Sequence, residues 1–556
     1  MKKIVLMTAV VLLVASVAMA LTLPRNETLY FGGSMWGPLT NFNPLNPNHG
    51  WGVDLVYPTL FMYNPLTNQM VPYLAESGNW VNSTTYDVKL RKDAQWTDGQ
   101  PVTAQDVKYT FELPLTVSQL VPVIGLKSVN IINDYEVQFV FSQPNYPNFY
   151  GALYGSYIVP EHIWSKMATS DIFSYANLTN PVGCGPYKFL TYNPQEIVLE
   201  RNDNWFGNNF IGKPAPKYVA ELAVSSNNVA LGLLLQGQLD ISNFYLPGIE
   251  SLIKPYNLVA WNDKPPYMLS SNTALLFLNN SVAPLNDPQF RKALAYAIGP
   301  TSDLTQRVYA GQVPNYVDPL GLLPIESWMQ FEDKSVVSQY GYTYDPAKAA
   351  QILDQLGYKK GPDGWRTMPN GQPIKLSIIC PYGWTDWMAA ERIVAEDLQK
   401  IGLNVTADFP DYSTYWNNFT SGNYTMAINN FGSGISMTPY TYFYWLFGYP
   451  IQQYMYNGNF ERYNNPTVVD LLNKISSIPL DNTKELQPLY SQIEKAFLQD
   501  MPVIPLWYNG MWYLANQSVW TNFPNANNPY AFPSTWTNNG VTTASLYLYT
   551  GIKPVK

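Results

Sequence analysis

The chain has 556 residues, too many for one hydrophobic core and enough for two to four domains. Charged residues make up 13% of it, about half the usual share, while aromatics reach 15% with 42 Tyr and 17 Trp. A formal charge of −8 leaves no basic stripe for nucleic acid, and His49 and His162 are too few for a His-rich metal site, so neither partner nor metal cofactor of those kinds is expected.

The N-terminus reads Met1-Lys2-Lys3, an apolar run over 4–17, then Ala18-Met19-Ala20. A basic start, an apolar core and an A-x-A site predict a secretory signal peptide over 1–20. The mature chain is then expected to be soluble and extracytoplasmic, periplasmic in a two-membrane bacterium. Residues 28–32 predict a first strand, leading into a loop that carries Trp36. Tyr86, Val88 and Leu90 alternate as in a strand, Asp98-Gly99 marks a tight turn, and Thr103 with Asp106 forms a capping pair for a helix over 104–112. In Gly183-Cys184-Gly185-Pro186 the glycines permit positive φ and the proline fixes its own. That predicts a sharp turn into strands over 187–192 and 196–201, closed by Asn202-Asp203-Asn204.

Residues 233–242 read as a helix entering a short strand at Asp240. Asp287 caps a helix begun by Pro288 and carrying Arg291-Lys292. Asp345 and Pro346 open another, with apolar Ala349, Ile352, Leu353 and Leu356 and a stop at Gly357. Residues 374–379 predict a strand, 390–405 an amphipathic helix running into a strand, and Asp411 caps a short helix bearing Trp416.

Each string alone is weak, but together and in this order they resemble the extracellular solute-binding proteins of family 5, from about residue 28 to 513. The resemblance implies an α/β, two-lobed periplasmic-binding-protein-like fold (type II) with an extra inserted domain and two crossover segments, near 279–285 and 503–507. It divides the chain into a first lobe over 21–60, 180–280 and 505–556, an inserted domain over 61–179, and a second lobe over 281–504. It further implies a monomeric, non-enzymatic receptor without a cofactor, which passes a ligand held between the lobes to an ABC transporter permease.

Peptide-binding relatives hold the ligand's ammonium with an aspartate in a second-lobe loop. Here Gly434 stands at the matching place, and no Asp or Glu occurs between Asp411 and Glu461. A buried ammonium without a counter-ion is costly, so the expected ligand is neutral: an oligosaccharide, short and β-linked, of cellobiose, gluco- or manno-type. Rings cover the apolar faces of sugars, and amides and phenols serve their hydroxyls. The candidate contacts are Trp36, Trp51, Asn243, Phe244, Trp384, Trp387, Trp416, Asn430, Trp445 and Tyr508. An oligopeptide receptor that recognises backbone alone is the alternative. A secreted glycoside hydrolase is a distant one, because it needs two carboxyl groups across the sugar bond and residues 412–456 supply none. Cys184 and Cys380, assigned to different lobes, are expected to be free thiols.

Overall fold

A computed structural model of the protein describes residues 23–33, 39–47, 49–535 and 545–555. The signal-peptide segment and Trp36 lie outside them.

Local signals set most element starts. Asp106 accepts from the Thr103 backbone N–H while Thr103 Oγ1 accepts from Gln105, so the helix Ala104–Glu112 begins at its capping box. Asp287, Asp345 and Asp411 each accept a backbone N–H at the start of Pro288–Ala297, Pro346–Gln355 and Tyr412–Ser421. The buried Arg291 and the half-buried Lys292 have a structural use: Arg291 donates to the carbonyls of Leu285, Asp500 and Met501, and Lys292 to that of Leu498. They satisfy orphan carbonyls at the end of the helix Thr483–Asp500.

Two sheets organise the lobes. The first has seven strands in the order Leu258–Val259, Leu514–Asn516, Ile241–Ser242, Thr28–Gly32, Tyr218–Leu222, Glu196–Arg201 and Tyr187–Asn193. The second has five, in the order Val405–Asp408, Leu376–Ile379, Met426–Asn429, Leu269–Leu278 and Val503–Met511. A separate four-stranded antiparallel sheet, Ala75–Asn82, Thr85–Leu90, Glu136–Phe141 and Leu126–Asn133, packs with its helices in the inserted region. Arg25 grips Asp240 with both terminal nitrogens while Asp240 also accepts from Tyr30 N, which fixes the first strand beside Ile241–Ser242.

Two expectations need correction. The crossovers do not lie near 279–285 and 503–507. Leu269–Leu278 pairs with both Met426–Asn429 and Val503–Met511, so residues 269–278 and 503–511 already belong to the five-stranded sheet. The chain passes between the sheets at 260–268 and 512–513. The Gly183-Cys184-Gly185 turn also works differently, since neither glycine has a positive φ. A Cβ on Gly183 would strike the carbonyl of Val56, and one on Gly185 that of Leu55. The glycines are required by close backbone approach to the helix Val53–Val56. Cys184 and Cys380 are both free and buried, and burial pushes each thiol up.

Candidate functional site

Parallel strands direct the loops that follow them to one edge of a sheet, the usual place for ligand sites in open α/β folds. Thr28–Gly32 runs parallel to Tyr218–Leu222 and to Ile241–Ser242. Leu376–Ile379 runs parallel to Val405–Asp408 and to Met426–Asn429. The C-terminal edges of the two sheets face each other. Asn227, just beyond the first sheet, donates to Thr385 Oγ1 at 3.1 Å. Tyr245 donates to the Val308 carbonyl at 2.9 Å, and Gln312 to that of Leu246 at 3.1 Å. The cleft between the lobes is therefore built from loops after parallel strands, and in this structure the lobes touch across it.

An aromatic band crosses that junction. Tyr245 lies edge-on to Tyr309 and to Trp512, and Tyr309 stacks on Trp512 at 5.5 Å. Trp507 follows at 5.8 Å, then Trp387, then Trp384 at 5.0 Å from Trp387. Trp384 ends beside Tyr412, 6.1 Å away. Asp386 is buried within this band and accepts from Tyr309 at 3.3 Å. Burial pushes its carboxyl up to about 7.

A second cluster follows the strand Met426–Asn429. Phe431 lies 4.7 Å from Trp445 and 5.8 Å from Trp416, whose half-buried ring also meets Phe419 and Phe460. Asn430 donates to Asn272 Oδ1 at 2.9 Å. In the same loop a Cβ placed on Gly434 would meet nothing within 4 Å. The space beside Gly434 is open.

The candidate residues thus fall into separate groups. Trp384 and Trp387 share the band across the lobes; Asn430, Trp416 and Trp445 share the second-lobe cluster. Four others, against expectation, are held inside the protein. Trp51 is buried in the first-lobe core, 4.3 Å from Phe31. Tyr508 donates to the Leu322 carbonyl at 2.7 Å and accepts from Asp318 N at 3.1 Å, which engages its hydroxyl fully. Asn243 donates to the carbonyls of Trp512 and Pro533 and accepts from Thr535 N and Oγ1, so its amide has no capacity left for a ligand. Phe244 is buried against Gly32, where a Cβ would collide with its ring. Tyr382 and Tyr412 escaped the sequence reading although they are 72% and 55% exposed beside Trp384. Their position after the parallel strands Leu376–Ile379 and Val405–Asp408 was the available signal, and the backbone bond from Tyr382 N to Pro410 O joins the two loops.

Among the described residues no group of three or more His, Cys, Asp or Glu could hold a metal ion, and no helix is long and apolar enough to cross a membrane.

A profile of the bacterial extracellular solute-binding proteins, family 5 Middle, matches residues 69–453. The oligopeptide-binding protein AppA of Bacillus subtilis is 26% identical over 430 residues, covering 76% of this chain and 75% of its own. A mannohexaose-bound periplasmic oligopeptide-binding protein of an oligopeptide ABC transporter from Thermotoga maritima is 41% identical. Its crystal structure superposes with a TM-score of 0.91, covering 96% of this chain and 99% of that one. The nonapeptide complex of Bacillus subtilis AppA is 22% identical with a TM-score of 0.75 over 95% of this chain and 99% of its own, a likeness of fold. With its two lobes, paired C-terminal sheet edges and inserted domain, the chain belongs to the extracellular solute-binding proteins of family 5, the type II binding proteins that serve ABC transporters.

Proposed function

We propose that this protein captures a short, β-linked gluco- or manno-oligosaccharide between its lobes and delivers it, as a monomer outside the cytoplasmic membrane, to the permease of an ABC importer. The observation that carries this reading is the 41% identical Thermotoga maritima protein with mannohexaose bound. The open space at Gly434 and the acid-free stretch between Asp411 and Glu461 support it, because they leave a peptide ammonium without a counter-charge. Tyr412 and Tyr382, beside the half-buried Trp384, supply exposed rings of the kind that cover a sugar face. Ligand bridging both lobes stabilises their closed arrangement, so binding and hinge closure are one equilibrium. Peptide capture is the second reading, favoured by curated relatives such as AppA, which carry peptide-binding names at 26% identity or nearby.

A thermal-shift screen separates the two, since a ligand that binds only the folded state raises the melting temperature. β-Linked di- to hexasaccharides are expected to raise it and tri- to pentapeptides to leave it unchanged. Stabilisation by peptides with sugars inert overturns the reading. Trp384→Ala is expected to weaken sugar binding roughly 5- to 150-fold, the worth of one stacking platform, with the ligand-free melting temperature little changed. Calorimetric titration of the variant checks this, and unaltered affinity removes Trp384 from the site.

A further inference from the structure

We infer that a second carbohydrate subsite lies between the inserted domain and the second lobe, where it takes the distal sugar units of ligands longer than the cleft. The inference rests on the oligosaccharide reading above and adds a place and a chain-length dependence to it. A cavity of about 480 Å³ opens there, lined by Trp80, Tyr146 and Tyr150 on one side and by Met437, Leu480 and Asp481 on the other. Trp80 stands on the strand Ala75–Asn82 of the four-stranded sheet. Tyr146 and Tyr150 are four residues apart on the helix Tyr146–Gly155 and so share one face. Leu480 and Asp481 join the helices Pro466–Ser476 and Thr483–Asp500.

A short stretch of chain separates this cavity from the Gly434 loop. Met437 belongs to the loop that carries Gly434, three residues earlier, a span of at most about 11 Å of extended chain. Asn68 donates to the Met437 carbonyl at 3.3 Å and Asn148 to Tyr440 Oη at 3.3 Å, so hydrogen bonds between the two bodies flank the cavity. Because each body supplies half of the wall, the cavity is complete only while the lobes are together.

The lining has the chemistry of a sugar site. Trp80 donates from Nε1 to Tyr150 Oη at 3.1 Å and meets Tyr146 edge-on at 4.8 Å, which fixes the indole. Rings and the Leu480 side chain suit the apolar face of a hexose; the Tyr150 hydroxyl and the exposed Asp481 carboxylate suit its rim. Asp481 is near enough that its charge, after burial, helps hold the Tyr150 phenol above its ordinary value. None of these groups is engaged in the Trp384 band or the Phe431 cluster.

The test is calorimetric titration with β-1,4-linked gluco- and manno-oligosaccharides of two to six units. In the native protein affinity is expected to keep rising with length, by roughly tenfold at the step that first reaches the cavity. Trp80→Ala is expected to abolish that step while leaving disaccharide affinity unchanged. Trp80 also packs against Tyr86 and Phe149, so Leu480→Trp, which fills the cavity from the opposite wall, is the second variant and should give the same truncated length profile. A length profile identical to the native one in a folded variant overturns the subsite, as does an equal loss for every length. Absence of any sugar binding by the native protein instead overturns the reading beneath it.

Discussion

Replacing Asn243 with alanine is expected to destabilise the ligand-free protein by about 3–5 kcal/mol, a large effect for one polar side chain. The side chain is 1% exposed and makes four hydrogen bonds, all to residues about 270 to 290 positions away. Truncation leaves the Trp512 and Pro533 carbonyls and the Thr535 N–H and hydroxyl without this partner. Each such buried group costs about 1–3 kcal/mol when unsatisfied. Water entering the vacated volume lowers the sum, which is why the expected value sits below it. Asn243→Asp should be nearly as damaging, because it keeps the acceptor toward Thr535 but turns an oxygen toward two carbonyls. Denaturant titration without sugar measures both. An Asn243→Ala protein as stable as the native one, with sugar affinity lost, would return Asn243 to the list of ligand contacts.

That residue shows which parts of the molecule could be read from the sequence. Asn243, after the Ile241–Ser242 strand, stood out as a candidate contact, but the partners of its four hydrogen bonds lie at 512–535 and no local pattern announces them. Signals that act within one helical turn were legible. The Thr103–Asp106 box, the Asp-Pro starts at 287 and 345 and the Asp411 cap all stand where their side-chain chemistry placed them. The strand Thr28–Gly32 and the hairpin Tyr187–Asn193 with Glu196–Arg201 followed alternation and turn residues in the same way.

The crossovers were less legible for a physical reason. Leu269–Leu278 is buried along nearly its whole length between two neighbours, and a strand buried on both faces carries no pattern that says which sheet it joins. The aromatic-rich composition was similarly ambiguous. Trp51, Trp384 and Tyr412 are all rings in the sequence, yet one fills a core, one is half-buried and one is largely exposed. Pairing of the parallel strands decides among them, and only the fold supplies that.

Stability is expected to fall as pH rises from 5 to 8, and Asp386→Asn should remove a large part of the slope. Asp386 is buried at the start of the helix Thr385–Lys400, within the band of Tyr309, Trp387 and Trp507. Burial is the leading cause that pushes its carboxyl from the ordinary 3.8 up to about 7, with the Tyr309 hydrogen bond opposing. Asp318 is likewise pushed up to about 7, and Glu391 and Glu494 to about 8, again chiefly by burial. An acid whose folded value is raised binds its proton more tightly in the native state than in the unfolded one. Its contribution is most favourable below the ordinary carboxylate value and is lost as pH climbs through the folded value. For Asp386 the part lost between pH 5 and about 7 amounts to about 3 kcal/mol. Asparagine keeps the shape and can still meet the Tyr309 hydroxyl but cannot ionise. The variant should therefore match or slightly exceed the native protein at pH 5 and exceed it by about 3 kcal/mol more at pH 8. Denaturant midpoints across that range measure the difference. Parallel pH profiles for the two proteins would mean that Asp386 is already ionised at pH 5, solvated by a rearrangement of the band that joins the lobes.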